Sequence, residues 1–220
     1  MGTARSKQTD TKTHILDVAE RLFAKNGFRL TSIKLLSRMA GVNQAAVNYH
    51  FGSKHALVEK VIERRLAPIN ALRMKKFKEI KETVSRQDCK PDIAVILYAF
   101  VEPAFALTET LPKDRSFLAM ASRAFSEQDD AIRDIFINYF KPSSDLLFEL
   151  MKKALPDLPE NVVWWRLNFA IGALAQSMRL CGGQLPAPDF FPATDDADMV
   201  VDLLVSFLTS GMAAPHQEQL

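Results

Sequence analysis

Apolar residues recur at helical spacing along almost the whole chain, and no alternating run argues for a strand. The pattern predicts an all-α protein of about nine helices. The most sharply bounded stretch runs from Thr31 to Lys54, where two short apolar segments, each opening on a capping residue, are separated by a glycine. The first helix is expected to start with Thr31 as N-cap and Leu30 stapled onto Leu35. It carries Leu36, Met39 and Ala40 at helical spacing and stops at Gly41, in a conformation that only glycine adopts cheaply. The second is expected to start at Asn43, with Val42 placed to staple onto Val47. Two short helices joined by a glycine turn form a helix-turn-helix, the layout that presents its second helix to the major groove of DNA.

Beyond this pair a long helix is expected from Lys54 to about Thr83, kinked or locally broken at Pro68. Further helices follow at Asp92–Thr108, Arg115–Ser126 and Asp130–Leu155, the last interrupted at Pro142, and then at Val162–Leu180 and Met199–Leu208. Leu185–Thr194, with three prolines, reads as a loop. Met1–Asp10 reads as a free polar tail, or as a basic arm in which Arg5 and Lys7 touch DNA, and the last residues from Ala213 look equally loose. The expected division is a DNA-binding domain at 11–55 and a helical ligand-binding and dimerisation domain at 56–212.

On a helical wheel Val47 and Phe51 share one side of the second helix, while Gln44, Ala45, Asn48 and Tyr49 share the other. Gln44 and Asn48 are side chains that pair bidentately with adenine, and the Ala45 methyl packs on a thymine methyl. Tyr49, His50 and Lys54, with Thr31 and Ser32 at the preceding helix start, suit phosphate oxygens. The plainer alternative is an exposed face of a small helical bundle. Charge bears on the same segment. The net value of +2 hides twelve Lys and Arg against five Asp and Glu up to Leu66, and sixteen against twenty-one in the remainder. A basic end attracts phosphates, whereas a solvated helix surface accounts for the number of charges but not for their segregation.

Cys89 and Cys181 stand far apart with no CxxC or Cys/His cluster, which points to a reduced, cytoplasmic chain. Neither a charged-then-apolar leader nor an apolar stretch long enough for a bilayer is seen, so no membrane partner is expected. Ser53 lies near His50 and His55, but side chains two apart on a helix do not face each other and no Asp orients either histidine. With no Gly-rich phosphate loop, HExxH or paired metal ligands, neither an enzyme, a metal nor a cofactor is expected.

The two final helices are apolar all round, and such helices must be covered on every side. A second copy is the natural cover, with Gly172, Ala173, Ala175 and Ser177 allowing close approach. The expected homodimer therefore forms through the helices at 162–180 and 195–210; an unusually buried helix in a monomer is the alternative. Phe100, Phe105, Met120, Phe136, Trp165 and Phe169 suit the lining of a cavity for an apolar ligand, and equally a filled core. Arg123, Arg166 and Arg179 lie among or beside these apolar helices; each either binds a ligand anion, Arg123 being the candidate taken forward, or pairs with an acid such as Glu102 or Glu127.

The run GVNQAAVNYHFGSKHALVEKVI, with Tyr49, His50, Phe51 and Lys54 in order, resembles the recognition helix and following helix of the tetracycline-repressor (TetR) family, and ILDVAERLFAKNGFRLTS extends the likeness from Ile15 to Ser32. The resemblance implies a dimeric transcriptional regulator, usually a repressor, with an amino-terminal three-helix DNA-binding domain and a helical ligand-binding domain. A narrower likeness, carried by Trp165, Arg166, Phe169, Gly172, Ala173 and Ser177, is to the fatty-acid-responsive PsrA subgroup, whereas Met74–Asp130 departs from it. It implies a lipid-like effector, a fatty acid or acyl-coenzyme A. The expected partners are thus a palindromic double-stranded DNA operator, a small apolar effector and a second copy. The competing reading keeps the DNA and drops the effector: a constitutively bound or architectural protein with a filled core.

Overall fold

A computed structural model describes residues 3–110, 130–181 and 196–216, with side chains described for 10–105, 133–181 and 196–216. All regular structure among the described residues is helical: α1 Thr3–Leu30, α2 Ile33–Met39, α3 Gln44–Phe51, α4 Lys54–Gln87, α5 Ile93–Thr110, α6 Asp130–Ala154, α7 Glu160–Cys181 and α8 Ala197–Ala213. The helix expected at Arg115–Ser126 and the loop expected at Leu185–Thr194 lie outside the described residues. The expected free tail is helical from Thr3, extending α1 through Ala4, Arg5, Lys7 and Gln8, which are good helix formers. Pro68 and Pro142 sit inside α4 and α6 without interrupting either helix. Proline removes one N–H and already holds a helical φ, so a helix packed along its length can run through it.

The chain divides into two compact units, the boundary falling between Ala67 and Pro68 within α4. Among the described residues the first unit holds 3–67 and 130–139, and the second 68–110 and 140–216. In the first, Ile15, Leu22 and Phe23 of α1, Leu36 of α2, Val47 and Phe51 of α3, and Leu57, Val61 and Ile62 of α4 are all buried. One charged group is buried with them. The Glu20 side chain, 4% exposed, accepts from Arg64 Nη2 at 2.7 Å, Arg65 Nε at 2.9 Å and Arg65 Nη2 at 2.8 Å, so both carboxylate oxygens are satisfied. Arg64 Nη1 reaches Asp17 at 2.7 Å on the same face of α1. Burying a carboxylate is tolerable only with such pairing, and the pairing ties α1 to α4 in one register.

The second unit has its core where Phe77 of α4, Leu97 and Phe105 of α5, Leu150 and Met151 of α6, Leu167 and Leu174 of α7, and Leu204 and Leu208 of α8 meet. Asp92 caps α5 through Val95 N–H, and Asp196 caps α8 through Met199 N–H. Buried and exposed positions then alternate along α8 in two apolar stripes. Val201, Leu204, Val205, Leu208 and Met212 face inward, and Met199, Leu203 and Phe207 face out. Of the candidate arginines, Arg166 Nη1 donates to Met212 O at 2.6 Å, Arg179 keeps a buried Nε without an acceptor among the described residues, and Arg123 lies outside them. Glu102 pairs with Lys76 at 2.6 Å instead of with an arginine.

Glu20→Gln is expected to lower stability by about 3 kcal/mol, the low end for breaking a buried pair, because Arg64 and Arg65 keep some contact with water. Urea unfolding measures it, and a loss under about 1 kcal/mol would mean that the clamp contributes no more than a surface pair.

Candidate nucleic-acid interface

The helices α2 and α3 are seven and eight residues long, too short to hold together without outside support. Every end is closed. Ser32 Oγ accepts Leu35 N–H at 3.1 Å and is therefore the N-cap of α2. At its other end Gly41, at φ 65°, donates to Arg38 O while Val42 N–H reaches back to Ser37 O at 3.0 Å, the paired bonds of a Schellman turn. Asn43 Oδ1 accepts Ala46 N–H at 2.6 Å to start α3, as expected from its sequence. Gly52, at φ 75°, ends α3, and Ser53 Oγ accepts Ala56 N–H at 3.1 Å to start α4. Ser53 thus caps a helix, and His55 sets its ring edge-on to Phe28 at 5.2 Å, so the two form no catalytic pair.

Three expectations need correction. Thr31 is not the N-cap of α2; the cap lies one residue on. Its side chain is 0% exposed, and its hydroxyl donates to Gly27 O at 2.8 Å and lies 3.3 Å from Leu22 O. Gly27 leaves helical geometry at φ 76°, so the carbonyls at this end of α1 lack helix partners and Thr31 supplies one. A hydroxyl sealed in this way cannot hold a phosphate. Leu30, 79% exposed, staples nothing, because the cap at Ser32 moves the register by one residue. Lys54, expected to hold a phosphate, turns its ammonium inward: Nζ donates to Phe28 O at 3.0 Å and stands 4.1 Å from the Phe28 ring centroid. As placed, it fastens the start of α4 to the end of α1.

The remaining DNA candidates are exposed or half-buried. Gln44, Ala45, Asn48 and Tyr49 are exposed on α3, Tyr49 at 76%, and Ser32 is exposed at the start of α2. Val47 and Phe51 anchor the opposite side in the core. His50 is half-buried, its ring 5.3 Å from that of Tyr49 and edge-on to it, so the two rings limit each other's rotation. The face therefore offers two amides, a methyl and a phenol on a helix whose orientation is set from behind, a combination suited to reading base edges.

Of the ligand candidates, Phe100 and Phe105 are buried in the second unit, and Phe136 is buried in the first. Trp165 and Phe169 are exposed at 56% and 66% on α7, while Met120 and Arg123 lie outside the described residues. A surface hollow of about 570 Å³, lined by Pro156, Asp157, Leu158, Pro159 and His216, involves none of them. The sequence reading missed Arg73, which is buried on α4 although its neighbours four residues either way, Ile69 and Phe77, are apolar.

Comparison with known proteins agrees with this architecture. Residues 15–61 match the tetR family of bacterial regulatory proteins, and residues 98–211 match the tetracyclin repressor-like C-terminal domain. The HTH-type transcriptional regulator AcrR of Shigella flexneri is 34% identical over 70 residues, covering 32% of this chain and 33% of that protein. The chain thus spans about a third of the length of that curated relative. Among solved structures, a transcriptional regulator from Aquifex aeolicus superposes with TM-score 0.56 at 20% identity over 90% of this chain and 97% of its own. A candidate fatty acid metabolism regulator from Clostridium perfringens gives 0.60 at 14% identity over 92% and 100%; both likenesses speak to fold. The families and relatives matched are regulators, not enzymes. With both its ends matched, one of them over more than half its length, the chain belongs to the tetR family of bacterial regulatory proteins.

Proposed function

We propose that the chain is a cytoplasmic, homodimeric DNA-binding repressor that occupies a palindromic operator and is released by a small apolar ligand, a fatty acid or acyl-coenzyme A. The observation that carries the reading is the outward face of α3, where Gln44, Ala45, Asn48 and Tyr49 stand exposed on a helix capped at both ends. Residues 11–55 act as the reading head and 56–212 as the body. Gln44, Ala45 and Asn48 contact base edges; Ser32, Tyr49 and His50 contact phosphates. An effector acts by binding one state of the body more tightly than the other, which shifts the protein away from its DNA-bound form.

The second copy is supported by the outer stripe of α8 and the adjoining side of α7. Leu203 and Phe207 are 64% and 69% exposed in the single chain, and open space lies over Gly172. So much apolar surface on one face needs a cover. The exposure of Trp165 and Phe169 favours the same interface for them over a place around the ligand. The competing constitutive regulator draws on the close packing of Phe100 and Phe105; a DNA affinity that no lipid alters would favour it.

Tyr49→Ala is expected to weaken binding to operator and random duplex alike, by roughly 1 kcal/mol, while the melting temperature stays unchanged. Gln44→Ala is expected to relax choice at particular base pairs by about 1–3 kcal/mol. Gel-shift titrations on both DNAs decide it, and equal losses on both DNAs for both variants would remove the division between base and phosphate contacts. Phe207→Glu is expected to halve the mass in sedimentation equilibrium, from twice 24.7 kDa to 24.7 kDa. A wild-type protein sedimenting at 24.7 kDa would rule out the dimer.

A further inference from the structure

In the second unit, α4 presents a cation to an apolar interior. Arg73 is 4% exposed, and its Nε donates to Phe100 O at 2.8 Å. The guanidinium lies 4.6 Å from the Phe100 ring centroid and 5.9 Å from that of Phe140. Burial pulls its pKa down to about 10, so it remains a cation near neutrality. Among the described residues no carboxylate pairs with it. Among the described residues of α5 and α6 in this unit, Glu102 pairs with Lys76 at 2.6 Å, Glu149 with Lys81 at 2.9 Å and Asp145 with Lys141 at 2.8 Å. Other polar groups lie nearby on α4 and α6. Asn70 is one turn back on α4, and the buried Ser143 of α6 donates to Phe140 O at 2.9 Å with its oxygen 3.4 Å from Asn70 Oδ1.

A guanidinium has five N–H donors in a planar fork, and a single carbonyl uses one of them. A cation held under aromatic rings, with its fork left over and the local acids committed to lysines, is matched by a planar anion attached to an apolar body. We propose that Arg73 anchors the head of a carboxylate ligand, with the two Nη groups gripping the carboxylate and Phe100 and Phe140 flanking the apolar part. The inference rests on the effector reading above and narrows it. An acyl-coenzyme A has lost its carboxylate to the thioester, so this anchor selects the free acid.

Calorimetry on the full chain, with no DNA present, tests the assignment using dodecanoate, oleate and phenylacetate. Each is compared with its matching primary alcohol, and dodecanoate also with dodecanoyl-coenzyme A. At least one acid is expected to bind about tenfold more tightly than its alcohol, a preference that Arg73→Gln reduces to within about twofold without weakening the alcohol. Arg73→Lys keeps the charge but not the fork and is expected to fall between the two. Circular dichroism reports whether each variant is folded; if Arg73→Gln is not, Arg73→Lys decides the matter. Equal affinities of acid and alcohol for the wild type would overturn the proposal, as would no binding of any acid or tighter binding of the thioester. A folded variant that keeps the full acid preference would also overturn it. DNA binding is measured separately, so a protein that binds acids but no DNA sinks only the regulator reading, and one that binds DNA but no acid sinks only the anchor.

Discussion

The buried carboxylate of Glu20 is the constraint on which the first unit depends. Apolar contacts alone would let α1 and α4 slide by a turn at modest cost, since Leu, Val and Ile substitute for one another in a packed seam. A carboxylate shared between Arg64 and Arg65 does not slide, because any shift leaves a buried charge without its partners. Lys54 adds a second tie between the same two helices through Phe28. With α1 and α4 locked, the space between them is fixed, and α2 and α3 fill it through Leu36, Val47 and Phe51.

Fixing that space matters because α3 is too short to set its own direction. Its caps at Asn43 and Gly52 satisfy its ends, while Val47 and Phe51 determine which face points outward. Gln44, Ala45, Asn48 and Tyr49 on the outward face bring no charged side chain, so in the proposed reading the attraction to DNA comes from the surrounding basic segment. The excess of Lys and Arg up to Leu66 supplies it. In the proposed reading attraction and discrimination reside in different residues: the charges bring the duplex in, and the amides of Gln44 and Asn48 examine it.

The helix-turn-helix was legible because its signals are local. Asn43, Gly41 and the alternation of Val47 and Phe51 with Asn48 and Tyr49 need no distant partner to be read. Thr31 and Ser32 show where local reading stops. Either residue caps a helix well, and the choice was made by Gly27, whose break in α1 exposes a carbonyl that draws the Thr31 hydroxyl inward. Lys54 and Arg73 fail to show for the same reason: a basic residue on a long helix reads as solvated, and only the fold brings Phe28 to one and Phe100 to the other. Along α7 and α8 the all-round apolar pattern was visible, but which stripe faces inward was not, since Leu167 and Phe169 look alike until α5 and α8 cover one of them.

The central claim, that two α3 faces read a symmetric duplex, is tested most directly by selecting bound fragments from a random duplex pool with the full-length protein and sequencing them. The account predicts enrichment of an inverted repeat whose half-sites are centred about 34 Å apart, or a whole number of helical turns, along one side of the DNA. Enrichment of a single asymmetric site, or of no sequence at all, would contradict it.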